Sequence, residues 1–70
     1  MRKIGHTENY RGHEAVYVEV YDALTINRAA RWLNSHNYAY DYKNCVLYVL
    51  VTKWGKDATE NALRIALSSD

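Results

Sequence analysis

The sequence predicts a small α+β domain in which two strands and a helix are followed by two more strands and a second helix. Three observations support this order. From Glu14 to Tyr21 the pattern of side chains alternates strictly, which is typical of a half-buried strand. The segments Thr25 to Ser35 and Asp57 to Ser68 instead carry apolar residues at helical spacing. Turn-forming residues interrupt two β-rich stretches and indicate two hairpins.

The first hairpin is predicted from the turn Asn9-Tyr10-Arg11-Gly12, in which glycine suits a position of positive φ. The residues from Lys3 to Glu8 then fold back as a short, polar edge strand. This register brings two side chains of the first strand to the valine face of the second strand, Ile4 beside Val18 and His6 beside Val16.

The two helices are delimited by residues that cap helix ends. Either Asp22 or Thr25 can act as the N-cap of the first helix. The second helix starts with Asp57-Ala58-Thr59-Glu60, a capping-box pattern in which Asp57 is the predicted cap.

The second hairpin is predicted to join Tyr38–Tyr42 to Cys45–Thr52 through the turn Asp41-Tyr42-Lys43-Asn44. A right-handed crossover through the first helix leaves room for the fourth strand between the second and third. The expected architecture is a ββαββα two-layer sandwich, a four-stranded antiparallel-type sheet with both helices on one face. This arrangement resembles the ferredoxin-like fold with its last strand moved to the front.

Composition limits the domain count and the compartment. Seventy residues form one core, so we expect a single domain over residues 1–70. The net charge of +1 gives no bulk attraction to duplex DNA or to an anionic membrane. One cysteine cannot form an internal disulfide, and no export signal or apolar segment of bilayer length is evident. We therefore expect a cytoplasmic protein.

The aromatic composition points to a binding surface, because the chain has seven Tyr, two Trp and no Phe. Tyr and Trp are enriched at interfaces. In the predicted register five tyrosines share the sheet face away from the helices: Tyr17, Tyr21, Tyr38, Tyr40 and Tyr48. A two-residue turn at Lys43-Asn44 would instead turn Tyr38 and Tyr40 towards the helices.

Catalytic and metal-binding constellations are not predicted. The three histidines and Cys45 lack the spacing of zinc ligands, and only His13 and Cys45 occupy corresponding positions in the two hairpins. No phosphate-binding loop, nucleophile elbow or paired carboxylate motif occurs. We therefore expect no enzyme, no metal and no cofactor.

Nucleic acid is the alternative partner. An aromatic sheet face flanked by cations stacks bases in RNA-recognition folds. In the segment from Lys43 to Leu50, however, Cys45 and Leu47 stand where that fold has aromatics. Residues Leu24 to Ser35 resemble the opening helix of excisionase-like domains, but strand-like residues follow where a recognition helix would be needed.

The sequence thus predicts a non-catalytic protein-binding module that contacts a protein or a second copy of itself, as a homodimer. Small chains of this kind are often accessory regulators or inhibitors, including those encoded by phages or mobile elements. The alternative is a domain that binds single-stranded nucleic acid through the same face. The predicted partner-binding residues are Tyr17, Tyr21, Tyr40, Tyr48 and Trp54, with Arg11 and Lys43 at the rim.

Overall fold

A computed structural model describes residues 3–68 of the chain. The elements are β1 (Gly5–Tyr10), β2 (His13–Glu19), α1 (Ala23–Ser35), β3 (Tyr40–Lys43), β4 (Val46–Leu50) and α2 (Lys56–Ser68). Their order is the predicted one, and the bounds differ from the predicted bounds by a few residues at most.

The four strands form one sheet in the order β1-β2-β4-β3, in which all neighbours are antiparallel. The chain therefore leaves the sheet after β2, crosses through α1 to the far edge at β3, and returns to the centre as β4. This confirms the predicted α+β class and the position of the fourth strand between the second and third.

The core lies between one face of the sheet and the two helices. The sheet contributes Val16 and Val18 of β2, Val20 just after β2, and Leu47 and Val49 of β4. The helices contribute Ala29 and Leu33 of α1 and Leu63 and Ala66 of α2. Because side chains alternate along a strand, burial of this set leaves the other side chains of β2 and β4 on the opposite face. That opposite face is referred to below as the open face.

The first helix begins and ends with well-defined caps. Oδ2 of Asp22 accepts hydrogen bonds from the amide of Thr25 at 2.9 Å and from its hydroxyl at 2.7 Å, so Asp22 is the N-cap. At the other end Asn37 has a φ of 64°, and Tyr38 N donates to the Leu33 carbonyl at 2.9 Å. This is a Schellman motif, and it turns Tyr38 back towards the helix.

The second helix starts one residue earlier than predicted. It begins at Lys56, and the Thr59 amide donates to the carbonyl of Gly55, which has a φ of 98°. Asp57 therefore lies in the first turn, where its charge favours the helix N-terminus, and is not the cap. No helix in the described residues combines the length and the hydropathy that a membrane crossing requires.

The predicted register of the second hairpin is wrong. Asn44 and Cys45 have φ values of 53° and 64° and form a two-residue turn of the type I′ kind, so that Lys43 stays in the strand opposite Val46. Tyr40 then lies opposite Val49 and faces the helices.

Tyr38 and Tyr40 both pack against the core, and the Tyr38 ring lies 6.2 Å from that of Trp32. Burial of the two rings under the helices favours this register over the one that would leave them in water. The expectation that both tyrosines lie on the open face is therefore wrong.

Candidate functional site

The open face is defined by the strand register. It carries the residues that pair with one another on the side away from the helices: Gly5, Thr7, Tyr10, His13, Ala15, Tyr17, Glu19, Asp41, Lys43, Val46, Tyr48 and Leu50. The two central strands contribute a largely apolar middle, and the charged side chains lie on either side of it.

Tyr10 reaches the open face because of a β-bulge. Gly5, His6 and Thr7 pair in one register with Tyr17, Val16 and Ala15, but Tyr10 pairs with His13 one position out of step. The extra residue between Thr7 and Tyr10 moves Tyr10 from the helix side of the sheet to the open side. A two-residue turn follows, in which Arg11 and Gly12 have φ values of 54° and 83°.

Three tyrosine rings form a continuous layer over the sheet. The Tyr10 ring stacks on that of Tyr48 with the centroids 3.9 Å apart, and the Tyr17 ring lies 5.8 Å from Tyr48 in a tilted arrangement. Tyr10 belongs to the edge strand and Tyr48 to β4, so the Tyr10 ring crosses β2 to reach its partner. Ala15 belongs to the open face yet is fully buried, and its small side chain leaves room for this crossing.

Asp41 holds the far end of the Tyr10 ring. The Tyr10 hydroxyl donates a hydrogen bond to Oδ2 of Asp41, and Arg11 Nη1 lies 3.8 Å from the same oxygen. The Arg11 guanidinium also lies 5.5 Å from the centroid of the Tyr10 ring. The hydrogen bond from Tyr10 lowers the pKa of Asp41 below its ordinary value, and the charge of Arg11 acts in the same direction.

The same hydrogen bond raises the pKa of Tyr10, because ionisation of the phenol beside a carboxylate is unfavourable. One contact between β1 and β3 therefore links the two edges of the sheet. It favours the neutral form of Tyr10 and the charged form of Asp41.

A groove of about 560 Å³ lies beside this layer on the open face. Its walls include the rings of Tyr17, Tyr21 and Tyr48 together with Val46, and both a cation and an anion lie at its margin, Lys3 and Glu19. A hydrogen bond to Glu19 raises the pKa of Tyr21 above its ordinary value. The groove therefore offers an apolar floor with hydroxyl groups and both signs of charge.

Gly5 makes room for one wall of the groove. A Cβ atom at this position would lie 2.7 Å from the hydroxyl oxygen of Tyr17 and closer still to its ring carbons. The Tyr17 ring thus lies directly over the glycine of the edge strand, an arrangement in which an aromatic ring covers exposed backbone.

The structure separates the predicted site residues into three groups. Tyr17, Tyr21 and Tyr48 lie on the open face and line its groove, which the sequence did not predict. Lys43 lies at the border of that face opposite Val46, and Arg11 lies in the β1–β2 turn against Tyr10. These five residues belong to one surface.

The other two predicted residues do not belong to it. Tyr40 packs on the helix side, as described above. Trp54 is 70% exposed in the loop between β4 and α2, where the Lys53 ammonium lies 4.9 Å from its ring. It is not among the residues that line the groove.

Sequence reasoning missed Tyr10 and Asp41 as parts of the open face. The predicted hairpin turns include both residues, whereas each belongs to a strand that continues up to a two-residue turn. In each hairpin one of the two turn residues is of a type that tolerates positive φ, Gly12 in the first and Asn44 in the second, and the structure shows positive φ for both turn residues.

His13 and Cys45 do not form a chemical pair. His13 begins β2, and Cys45 lies beside the end of that strand, where its carbonyl accepts a hydrogen bond from Val20 N at 2.9 Å. The length of β2 separates the two by roughly 20 Å. Within residues 3–68 no three His, Cys, Asp or Glu side chains converge as metal ligands.

Comparisons with protein families, with curated proteins and with solved structures find no match for this chain. The open face is therefore interpreted from its own geometry and chemistry.

Proposed function

We propose that the chain is a small non-catalytic protein-binding module and that its open face contacts another protein chain. The observation that carries the proposal is the groove lined by Tyr17, Tyr21, Tyr48 and Val46, with Lys3 and Glu19 at its margin. Tyrosine, apolar side chains and a mixed polar rim are typical of protein interfaces. Tyr21 is 72% exposed, which is more than a tyrosine with a purely packing role requires.

The chemistry of the groove supports a binding role more than a catalytic one. Its described lining includes no histidine, cysteine or serine, so it lacks the Ser–His and Cys–His pairs that are common in nucleophilic catalysis. A role as an accessory regulator or inhibitor in the cytoplasm, encoded by a phage or mobile element, agrees with such a module. The ferredoxin-like relationship is likewise a proposal, supported by the strand order β1-β2-β4-β3.

Two features favour protein over single-stranded nucleic acid. The Tyr10 and Tyr48 rings stack on each other, so one face of each ring is already covered and is not open to a base. Glu19 and Asp41 lie on the same surface as the cations and repel phosphates. A face of mixed charge suits a polypeptide better.

The test is a selection from a displayed library of random peptides with the immobilised chain as target. Tyr21→Lys alters the open face at an exposed position and is expected to reduce binding of the selected peptides at least tenfold. Ile65→Lys is the matched control, because Ile65 is 54% exposed on α2. The control should bind as the wild type does.

Three results would contradict the proposal. The library could yield no binder, or the selected peptides could lose affinity for Ile65→Lys and keep it for Tyr21→Lys. The third is that a single-stranded oligonucleotide quenches tyrosine or tryptophan fluorescence with a steep salt dependence, which would establish the alternative partner instead.

A further inference from the structure

The charges of the open face are arranged on either side of an apolar line. Val46 pairs with Glu19 on one neighbouring strand and with Lys43 on the other, so the three side chains form one row across β2, β4 and β3. Val46, Tyr48 and Leu50 continue along β4 and are all partly buried. In this row the apolar side chain of Val46 therefore has an anion on its β2 side and a cation on its β3 side, while Asp41 lies further along β3 beside Tyr48.

Within the described residues neither charge has an opposite charge as its partner, although Glu19 accepts a hydrogen bond from Tyr21. Glu19 and Lys43 are exposed. Among the ion pairs of residues 3–68, which join His6 to Glu14, Arg11 to Asp41 and Arg64 to Glu60, neither of the two takes part. An exposed charge at the border of an apolar surface gains most from an opposite charge on the molecule that covers that surface.

We propose that the open face is covered by a second copy of this chain, packed face to face about a two-fold axis that runs along β4 above Val46. Such an axis places β4 over β4 and β2 over β3, so Glu19 faces the partner subunit's Lys43 and Lys43 faces the partner subunit's Glu19. A two-fold interface must be complementary to itself, and this row meets that condition. A partner with charge of one sign would be repelled by one of the two flanks.

The inference rests on the proposed function, because it names the occupant of the same face. The contact is small. Four strands spaced about 4.8 Å apart give a sheet face of roughly 20 Å by 20 Å, or about 800 Å² over both chains, which is the size of a weak or transient contact. We therefore expect a weak dimer with a dissociation constant of roughly micromolar or higher, which dissociates when the chain is diluted below that concentration.

The test is a set of charge reversals followed by sedimentation equilibrium over a wide range of protein concentration. Glu19→Lys and Lys43→Glu each place like charges opposite one another at two symmetry-related contacts. Each single variant should therefore raise the dissociation constant of the dimer about tenfold at low salt. The double variant Glu19→Lys/Lys43→Glu restores both contacts with their signs exchanged and should return to the wild-type value.

Lys56→Glu is the matched control for Lys43→Glu. It makes the same change of charge at an exposed position at the start of α2, on the other side of the molecule, where a negative charge favours the helix N-terminus. Its dissociation constant should equal that of the wild type. Circular dichroism of every variant confirms that each is folded before its mass is interpreted.

Monomeric wild-type chain at all concentrations would overturn the inference, as would a dimer that the reversals leave unchanged. A double variant as weak as the single variants would overturn it too. The peptide selection separates this failure from failure of the proposed function. If the wild type is monomeric and the selected peptides still bind through Tyr21, then the open face is a binding surface for a different protein.

Discussion

Tyr10 crosses the sheet from its edge towards its centre, and several neighbours depend on it. Its ring covers one side of the Tyr48 ring, and its hydroxyl fixes the carboxylate of Asp41 on the opposite edge strand. Stacked aromatic pairs contribute about 1 kcal/mol beyond the burial of their area. The layer of tyrosine rings on the open face thus depends on Tyr10, whose position is determined by a bulge in β1.

The Tyr10–Asp41 contact predicts a dependence of stability on acid pH. The pKa of Asp41 is lowered in the folded chain, so its contribution to stability is complete above the ordinary aspartate pKa of about 4 and is lost as the pH falls through the lower folded value. Asp41→Asn should therefore lose less stability than the wild type on acidification. Urea unfolding at a series of pH values measures this.

Tyr10→Phe provides the control for that measurement, because it removes the same hydrogen bond and keeps the carboxylate. On acidification, the decrease in its free energy of unfolding should be closer to that of Asp41→Asn than to that of the wild type. Parallel pH profiles for the wild type and Asp41→Asn below about pH 4 would show that the contact contributes nothing.

Gly5 predicts a specific movement of one ring. Gly5→Ala brings a methyl group into the space of the Tyr17 hydroxyl, so the ring must leave its position beside Tyr48. Because the ring can turn into solvent, the substitution should lower the free energy of unfolding by less than about 1 kcal/mol. The shifts of the Tyr17 ring protons report the movement by NMR. Gly12→Ala has no neighbour within 4 Å and should strain the turn, whose φ is 83°, without moving Tyr17. Unchanged Tyr17 signals in Gly5→Ala would contradict this packing.

At the scale of elements, the turn of the second hairpin decides which tyrosines are exposed. Both central residues have positive φ, and Asn44 tolerates that conformation better than Cys45 does. Because the two-residue turn keeps Lys43 in the strand, β3 places Tyr40 under the helices and Asp41 on the open face.

This turn predicts that Cys45→Gly stabilises the domain. Glycine removes the strain of a left-handed cysteine, which amounts to about 1 kcal/mol, and a change of that size raises the Tm of a domain this small by roughly 4–8 °C. Asn44→Gly is the companion variant, and its Tm should rise by less because asparagine tolerates positive φ better than cysteine does. A lower Tm for Cys45→Gly would mean that Cys45 belongs to the strand and that the hairpin turns earlier.

The alternation of valines in β2 predicted the first hairpin well, because a buried face leaves only one register open to a strand. His6 indeed pairs with Val16. The second hairpin has no such constraint, since β4 is apolar on both faces and β3 carries tyrosines at every second position. Its register depends on backbone conformation at Asn44 and Cys45, and a cysteine there gives no sequence evidence of positive φ.

At the scale of the whole molecule, the two faces of one sheet have different chemistry. The helix side buries aliphatic side chains together with Tyr38 and Tyr40, whereas the open side carries a tyrosine layer, a groove and both signs of charge. The prediction of five tyrosines on the open face is therefore wrong: four lie there, and in that set Tyr10 joins Tyr17, Tyr21 and Tyr48.

The most direct test of a binding role for the open face is a map of backbone amide shifts in the ¹⁵N-labelled chain on addition of a peptide selected from the library. The largest changes are predicted along β2 and β4, around Tyr17, Val46 and Tyr48. Small changes are expected in α1 and α2. Largest changes on the exposed sides of α1 and α2, with the strands unaffected, would contradict the account.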